Sequence, residues 1–244
     1  MLKLDFAKAF DTVNWEGLFA ILKARGFEEI WIDWIRTILS SSKSAVLVNG
    51  CPGPWINCKR GLRQGDPLSP YLFLLVAETL QRMIQREFSA IPHPIESGTP
   101  CAVLQYADDT LILLKGAPSA VSHLKIILDQ SAAATSLSIN YNKSTAVPIS
   151  GGAGDGPRLG PLSLPVLGQC SFDESVTSQC IEILGCRKEG FPQTYLGLPL
   201  SATKLPVSSF APYICKTDRY LPSWQASLLN LPCSFGLVCL ISHD

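Results

Sequence analysis

Residues 105–110, Gln-Tyr-Ala-Asp-Asp-Thr (QYADDT), lie between two short apolar runs, 102–104 and 111–114. Short apolar runs rich in branched residues are typical of buried β-strands. Two such strands joined by a short polar link predict a β-hairpin. Its tip would present Asp108 and Asp109 to hard cations such as Mg²⁺, which prefer carboxylate oxygens. An Asp-Asp pair is also ordinary turn chemistry, so this stretch alone leaves a purely structural role open.

The composition indicates a chain with enough apolar residues for a core. Of its 244 residues, 47% are hydrophobic and 16% are charged, which suits one large domain or two small ones. Lys+Arg and Asp+Glu both number 20, so the net charge is zero. Nucleic-acid binders usually carry a basic excess, and zero net charge therefore argues against strong stand-alone binding of a phosphate backbone.

Two further properties bear on the cellular setting. No apolar run approaches the ~18 residues of a membrane span, and Asp5 and Asp11 interrupt the N-terminal stretch where a secretion signal would be apolar. We expect an intracellular protein, nuclear or cytoplasmic, without a membrane partner. The nine cysteines are scattered and none is spaced C-x₂-C. We therefore expect buried reduced thiols and not a zinc site.

The first forty residues predict a strand followed by two helices. In residues 2–7 apolar side chains alternate with Lys3 and Asp5, which predicts a strand with Asp5 pointing away from the apolar face. Asp11 is a candidate N-cap. The first predicted helix ends at Gly26, and its apolar face comprises Trp15, Leu18, Phe19 and Leu22. The second closes at 40–42 with the apolar face Ile30, Trp34, Ile35 and Ile38, and we expect its tryptophan in the core.

Residues 45–49 and 55–58 predict a hairpin around a turn-rich link at 50–54, and a basic cluster of Lys59, Arg60 and Arg63 follows it. The cluster precedes a break at 65–67 and an apolar helix predicted from 71 to 88, with Pro70 in its first turn. A glycine loop leading into a helix N-terminus favours anions. A solvated loop with a helix cap is the alternative interpretation.

The second half of the chain predicts a helix over 117–135, a strand over 137–140 and then a change of character. The apolar face of that helix comprises Val121, Leu124, Leu128 and Ala132. Glycines and prolines in 150–170 predict a flexible loop. Residues 181–186 and 193–196 could pair as a hairpin, and 208–230 is amphipathic.

Three stretches, in this order, resemble motifs A, B and C of reverse transcriptases: LKLDFAKAFD at 2–11, GLRQGDPLSP at 61–70 and YADD at 106–109. They resemble in particular the reverse transcriptases of non-LTR (LINE-type) retrotransposons, in the form common in plant genomes. LSINYNKS at 137–144 is similar to motif D, and YLGLPL at 195–200 is similar to a segment that these elements carry downstream. The resemblance covers roughly residues 1–230.

The resemblance implies an α/β (α+β) polymerase palm, with a small antiparallel sheet packed on helices, plus a partial thumb. Asp5, Asp108 and Asp109 would be the catalytic metal ligands for two Mg²⁺ ions, with Mn²⁺ as an alternative. Asp11 matches an acid in the family, but we expect a structural role for it. Lys143 would donate a proton to the leaving pyrophosphate, although a plain surface lysine remains the alternative.

The resemblance also implies the substrate-binding residues. Phe10 would pack under the incoming sugar and exclude a 2′-hydroxyl, a role compatible with a place in the core. Arg63, Gln64 and Gly65 would lie against the template strand and the incoming base, and Tyr106 belongs to the same substrate-binding set. The implied partners are an RNA template, a DNA primer and dNTPs.

By resemblance the chain divides into a palm at 1–149, a Gly/Pro-rich linker at 150–180, a primer-grip-like hairpin at 181–205 and a truncated thumb with an off-pattern C-terminus at 206–244. Met1 stands only four residues before Asp5, so the basic fingers of the family would lie upstream. We therefore expect an RNA-directed DNA polymerase fragment that is inactive by itself. A non-catalytic remnant of a decayed element and a domesticated nucleic-acid-binding module are the alternatives.

Overall fold

The computed structural model describes residues 1–87, 89–94, 98–149 and 174–220. The chain divides into two compact units, residues 1–189 and 190–244. The predicted flexible loop at 150–170, and the predicted thumb beyond residue 220, lie outside the described residues. Within the described ranges, no helix combines the length and the apolar character that crossing a membrane requires.

The elements alternate between short strands and helices. In chain order the strands are β1 (Leu2–Leu4), β2 (Lys43–Ser44), β3 (Leu47–Val48), β4 (Cys51–Pro52), β5 (Ile56–Asn57), β6 (Ala102–Tyr106), β7 (Asp109–Leu113), β8 (Thr145–Ala146), β9 (Arg187–Lys188), β10 (Gln193–Tyr195) and β11 (Leu198–Leu200). The helices are α1 (Ala9–Thr12), α2 (Trp15–Ala24), α3 (Glu29–Ser40), α4 (Ser69–Arg86), α5 (Pro118–Thr135), α6 (Glu174–Leu184) and α7 (Ala211–Tyr220), with a 3₁₀ turn at Val207–Phe210.

A five-stranded sheet in the order β6-β7-β1-β8-β9 organises the first unit. Strand β1 is central, because Lys3 is paired with Leu111 of β7 on one side and with Thr145 of β8 on the other. The pairs are antiparallel except β8–β9, which is parallel. This confirms the predicted α/β class with a small sheet packed on helices, and adds a parallel edge strand.

Two apolar cores fix the sheet and the helices around it. The first core joins Leu2, Leu4 and Ile112 of the sheet to buried residues of α4, α5 and α6. The second core lies among α1, α2, α3 and the first half of α4, and includes Phe73. Because successive side chains of a strand point to opposite faces, burying Leu2 and Leu4 against helices turns Lys3 to the other face of the sheet.

The strand predicted over residues 2–7 is shorter, and the strand predicted over 137–140 does not form. β1 ends at Leu4, and Phe6 makes only an isolated bridge to Ile139. The Asp5 amide donates to the Ser144 hydroxyl and not to a backbone carbonyl of the segment after Ser136. The segment after it then meets the chain around Asp5 through two separate hydrogen bonds and not through a ladder.

Two local predictions in the first forty residues were wrong. The N-cap of α2 is Asn14, whose side chain accepts a hydrogen bond from the Glu16 amide, whereas Asp11 lies inside the short helix α1. Helix α3 buries Ile32, Ile35 and Leu39, so the predicted Trp34 face is largely solvent-exposed, with Trp34 itself 62% exposed. Apolar residues occupy both faces of α3, and helical spacing alone therefore could not select the buried one.

The hairpin predicted from strands 45–49 and 55–58 forms differently. β2 pairs with β5, and inside this pair β3 pairs with β4 across Asn49-Gly50. Both turn residues have positive φ, 51° and 81°, as a tight two-residue turn requires. The predicted five-residue link at 50–54 was therefore wrong, because the Asn-Gly dipeptide closes the chain earlier.

The hairpin predicted to pair 181–186 with 193–196 was also wrong. Residues 181–184 form the end of α6, and residues 174–180 of the predicted linker form its beginning. The hairpin that does form is β10–β11, which turns at Leu196-Gly197 with φ of 50° and 78°. A short apolar run such as 181–184 satisfies a strand and a helix equally well.

The prediction of buried thiols holds for part of the cysteines that the structure describes. Cys101, Cys180 and Cys186 are buried, whereas Cys51 and Cys215 are exposed. Burial raises the pKa of the Cys101 thiol to about 11. This side chain therefore stays protonated and unreactive at neutral pH.

Candidate active site

The hairpin predicted from QYADDT is formed by β6 and β7, and its two strands are joined by a very short turn. Tyr106 pairs directly with Asp109, so Ala107 and Asp108 form a two-residue turn. Ala107 has φ of 52°, a left-handed value that short hairpin turns require. The turn leaves Asp108 exposed and makes Asp109 the half-buried first residue of β7.

Asp5 enters the same site from the central strand. Leu4 pairs with Thr110, and continuing this antiparallel register by one residue places Asp5 opposite Asp109. Opposite residues of neighbouring antiparallel strands lie on the same face of the sheet. The backbone of Asp5 is fixed as well: its amide donates to the Ser144 hydroxyl at 3.1 Å, and its carbonyl accepts from the Asn140 amide at 2.7 Å.

The acidic side chains of this site have no neutralising partner in the described part of the chain. None of the carboxylates of Asp5, Asp108 and Asp109 takes part in a hydrogen bond or ion pair there. Among those same residues, no group of three or more His, Cys, Asp or Glu side chains is close enough to hold a metal ion. Mg²⁺ is usually held by one or two protein carboxylates together with waters and substrate phosphates. A pair of unpaired carboxylates therefore fits such an ion.

Phe10 lies on α1, five residues after Asp5, and its ring is supported by a second ring. Its ring stacks on the ring of Phe73 of α4, with centroids 4.4 Å apart and an angle of 13° between the planes. Phe10 is half-buried, whereas Phe73 is buried in the second core. Both the core role and the predicted substrate-facing role are therefore compatible with this position.

The loop before α4 is bound to the segment that follows Asp5. The Leu62 amide donates to the Phe10 carbonyl at 2.7 Å, and the Gly61 amide donates to the Val13 carbonyl at 2.8 Å. Arg63 and Gln64 follow at once and are exposed. The structure thus brings the predicted template-contacting residues to the same end of the molecule as Phe10.

The start of α4 shows why this loop stays open. Gly65 has φ of 89°, and a β-carbon added there would meet no atom within 4 Å, so the backbone turns there without packing. The Asp66 carboxylate accepts a hydrogen bond from the Leu68 amide at 2.9 Å. Pro70 lies in the first turn of the helix, as predicted. Asp66 therefore serves the helix start.

Comparison with known families identifies the family of this chain. A family profile described as "Reverse transcriptase (RNA-dependent DNA polymerase)" matches residues 1–188. The chain belongs to the reverse transcriptase family. The matched range includes every element of the five-stranded sheet and the whole candidate site.

Individual relatives narrow the kind of reverse transcriptase. The chain is 34% identical over 116 residues to the Retrovirus-related Pol polyprotein from type-1 retrotransposable element R2 of Popillia japonica, covering 46% of this chain and 18% of the relative. It is 28% identical over 207 residues to the Transposon TX1 uncharacterized 149 kDa protein of Xenopus laevis, covering 85% and 14%. It is 27% identical over 152 residues to the Pol polyprotein from type-2 element R2DM of Drosophila melanogaster, covering 61% and 14%.

These relatives support a non-LTR retrotransposon reverse transcriptase. The chain spans between 14% and 18% of the length of these three relatives. The structure therefore describes a reverse transcriptase segment that corresponds to a small part of each relative.

The remaining predicted residues of this reverse transcriptase are exposed. Lys143 lies in the turn from Asn140 to Ser144, the turn that contacts the Asp5 backbone. Its side chain is exposed. Tyr106 ends β6 and is 67% exposed. Both residues are thus at the acidic end of the sheet and accessible to a large ligand.

Sequence reasoning missed the residues that hold this reverse transcriptase site in place. Ser144 fixes Asp5, Phe73 supports Phe10, and the Trp15 indole donates to the Gly61 carbonyl at 2.8 Å. Trp15 was interpreted only as a core residue. The signal that could have identified it is the polar N–H of a tryptophan placed next to a turn, because a buried indole N–H needs an acceptor.

Proposed function

We propose that this chain is the palm of an RNA-directed DNA polymerase and that it joins a deoxynucleotide to the 3′-hydroxyl of a primer paired with an RNA template. The supporting observation is that the strand register sets Asp5 opposite Asp109, next to Asp108 in the turn, and that none of these carboxylates has a neutralising partner among the described residues. Leaving like charges together costs stability, and active sites retain such costs where a charged ligand offsets them.

The pair Asp5 and Asp109 fits a divalent metal ion, and we propose that this pair holds two Mg²⁺ ions together with Asp108. Ions bound there would neutralise charge on the triphosphate and favour ionisation of the primer hydroxyl. Asp5 and Asp109 would fix the ions from neighbouring strands, and Asp108 would approach from the turn. The two strands matter because a single turn cannot surround two ions about 4 Å apart.

The surrounding residues would orient the substrates for in-line transfer. Phe10, supported by Phe73, would close the space beside the sugar. Arg63 and Gln64 would face the template and the incoming base, and Lys143 would supply a proton to the departing pyrophosphate. Positioning and charge neutralisation supply most of the catalysis in phosphoryl transfer. We propose an element of the plant LINE type as the source of this domain.

The test measures metal binding and polymerisation separately. Mn²⁺ binding to residues 1–244 is followed by electron paramagnetic resonance, and primer extension is followed on an annealed RNA template with dNTPs. Asp108→Asn should weaken Mn²⁺ binding and abolish extension, because a neutral amide replaces a hard anionic ligand. Glu16→Gln, which alters an exposed acid on α2, is the matched control and should change neither. Unchanged binding and extension in Asp108→Asn would refute the assignment.

We further propose that residues 1–244 by themselves extend a primer slowly. Zero net charge provides no general attraction to a nucleic acid. The basic cluster Lys59, Arg60 and Arg63 belongs to the template side and not to the triphosphate. A single positioned electrostatic donor is typically worth ~10²–10³ in rate. Rapid extension by this segment, lost in Asp108→Asn, would contradict this proposal and favour a self-sufficient enzyme.

A further inference from the structure

Three hydrogen bonds join the loop before α4, at residues 61–62, to residues 10–15, which follow Asp5. Two are the backbone bonds from Gly61 to Val13 and from Leu62 to Phe10. The third of them is made by a side chain: the Trp15 indole N–H donates to the Gly61 carbonyl at 2.8 Å. The Gly61 amide is therefore bonded to Val13, and the Gly61 carbonyl is bonded to Trp15.

The approach at Gly61 is too close for any other residue. Its φ is +86°, and a β-carbon added there would lie 2.6 Å from the Asp11 carbonyl oxygen. Backbone at this separation needs glycine. Because glycine is conformationally free, the loop position depends on the hydrogen bonds that hold it, and the Trp15 bond is the one of the three that a side-chain substitution can remove.

Trp15 is itself held rigidly. It is the first residue of α2, whose N-cap Asn14 donates its backbone amide to the Thr135 carbonyl of α5 at 3.0 Å. The Trp15 ring is half-buried and packs against the second core. The indole N–H therefore projects from a fixed helix start onto the loop.

We propose that Trp15 is a positioning residue, whose bond to the Gly61 carbonyl sets the distance between Phe10 and the exposed loop residues Arg63, Gln64 and Gly65. This proposal rests on the proposed function, in which Phe10 faces the sugar and Gln64 faces the base of the same nucleotide. Trp15 touches neither substrate. It fixes the spacing of the two groups that do.

Loss of this bond should weaken nucleotide binding more than the chemical step. Asp109 is fixed by β7 and Asp5 by its backbone bonds to Ser144 and Asn140, and none of these bonds involves the loop. Only the loop at residues 61–65 becomes more mobile when the bond is lost. One net hydrogen bond corresponds to roughly a 3- to 10-fold effect, so we expect the apparent Kd for dNTP to rise by that factor, with the maximum rate within about twofold.

The experiment compares Trp15→Phe with Trp34→Phe in residues 1–244. Trp15→Phe keeps an aromatic ring and removes the N–H, and Trp34→Phe alters an exposed tryptophan of α3. Amide hydrogen exchange is measured at Gly61 and Leu62 by NMR. Single-turnover extension with protein in excess, at varied dNTP, measures the apparent Kd and the maximum rate. Benzothienylalanine incorporated at position 15 retains the indole shape without the N–H and should behave as Trp15→Phe does.

The expected result is faster exchange at Gly61 and Leu62 and a raised Kd for dNTP in both position-15 variants, with the Trp34→Phe protein unchanged. Unchanged exchange would overturn the proposal, and so would faster exchange with an unchanged Kd or a maximum rate that falls as much as affinity. If Asp108→Asn leaves Mn²⁺ binding unchanged, the proposed function fails. The exchange measurement then still decides whether Trp15 holds the loop.

Discussion

Phe10 and Phe73 lie face to face, with ring centroids 4.4 Å apart. Phe73 is only 1% exposed, and it belongs to the core between α1, α2, α3 and α4. The Phe10 ring therefore has no room to retreat toward the interior. A ligand in contact with Phe10 therefore meets a ring whose position is fixed by packing.

This arrangement predicts the effect of Phe10→Val on sugar selection. Replacing the ring with an isopropyl group opens space for a 2′-hydroxyl, so the ratio of ribonucleotide to deoxyribonucleotide incorporation should rise about tenfold or more. Extension assays with single rNTPs and dNTPs measure this ratio. Phe27→Val, which alters an exposed ring stacked on Trp31, is the control. An unchanged ratio in Phe10→Val would leave Phe10 with a packing role alone.

A second prediction concerns the charges of Asp5 and Asp109. Like charges on directly opposed strand positions destabilise a sheet, and opposed pairs are worth about 0.2–1 kcal/mol. Asp109→Asn should therefore raise the free energy of unfolding by about that amount without divalent ions. Mg²⁺ should raise Tm for the unsubstituted chain but not for the variant. Thermal unfolding with EDTA and with Mg²⁺ tests both; a variant less stable in EDTA would show that the carboxylates do not repel each other.

A third prediction concerns pH. The Arg25 guanidinium hydrogen-bonds Glu78 at 2.5 Å and holds the pKa of that carboxyl below its usual value of 4.5. A lowered folded-state pKa gives stability that is present above the unfolded pKa and is lost as pH falls through the folded pKa. Because Glu78 is partly exposed, Glu78→Gln should cost less than about 1 kcal/mol.

Glu78→Gln should lower the free energy of unfolding by its largest amount at pH 7. This loss should disappear as the pH falls below about 4.5 and through the lowered pKa of Glu78. Urea unfolding at several pH values measures it. Glu29→Gln, in the exposed pair with Lys23 at 3.4 Å, is the control and should cost less at pH 7. A cost for Glu78→Gln that stays constant down to low pH would show that the ionised carboxylate contributes nothing.

A fourth prediction compares two glycines. A β-carbon at Gly17 of α2 would lie 2.3 Å from the Ala134 carbonyl oxygen of α5, whereas one at Gly116 would meet no atom within 4 Å. Gly17→Ala should destabilise the fold by about 1–3 kcal/mol through overpacking. Gly116→Ala should be neutral or stabilising by up to about 1 kcal/mol. Equal urea midpoints for the two variants would mean that α2 and α5 do not approach each other so closely.

Local patterns decided what the sequence could predict. The β6–β7 hairpin followed from two branched apolar runs and a short polar link, and helices α4 and α5 followed from their spacing and from Pro70. The apolar face of α5, with Val121, Leu124 and Leu128 buried, was also predicted. Each of these signals lies within about twenty residues of sequence.

The rest depended on contacts that a local pattern cannot encode. The bond from the Asp5 amide to Ser144 joins residues 139 positions apart, and the bond from Trp15 to Gly61 joins residues 46 apart. The buried face of α3 depends on which side α2 covers. The motif resemblance identified Asp5, Asp108 and Asp109 as a set, but it said nothing of the side chains that support them.

The central place of β1 has a consequence for synthesis on the ribosome. Lys3 is paired with Leu111, 108 residues later in the chain (111 − 3). At about 5–20 residues per second, β1 emerges roughly 5–20 s before its first partner strand. Most of the second core, from Ala9 to Ala77, is complete before that. We therefore expect a helical subdomain to form first, and Asp5 to meet Asp109 only after β7 has emerged.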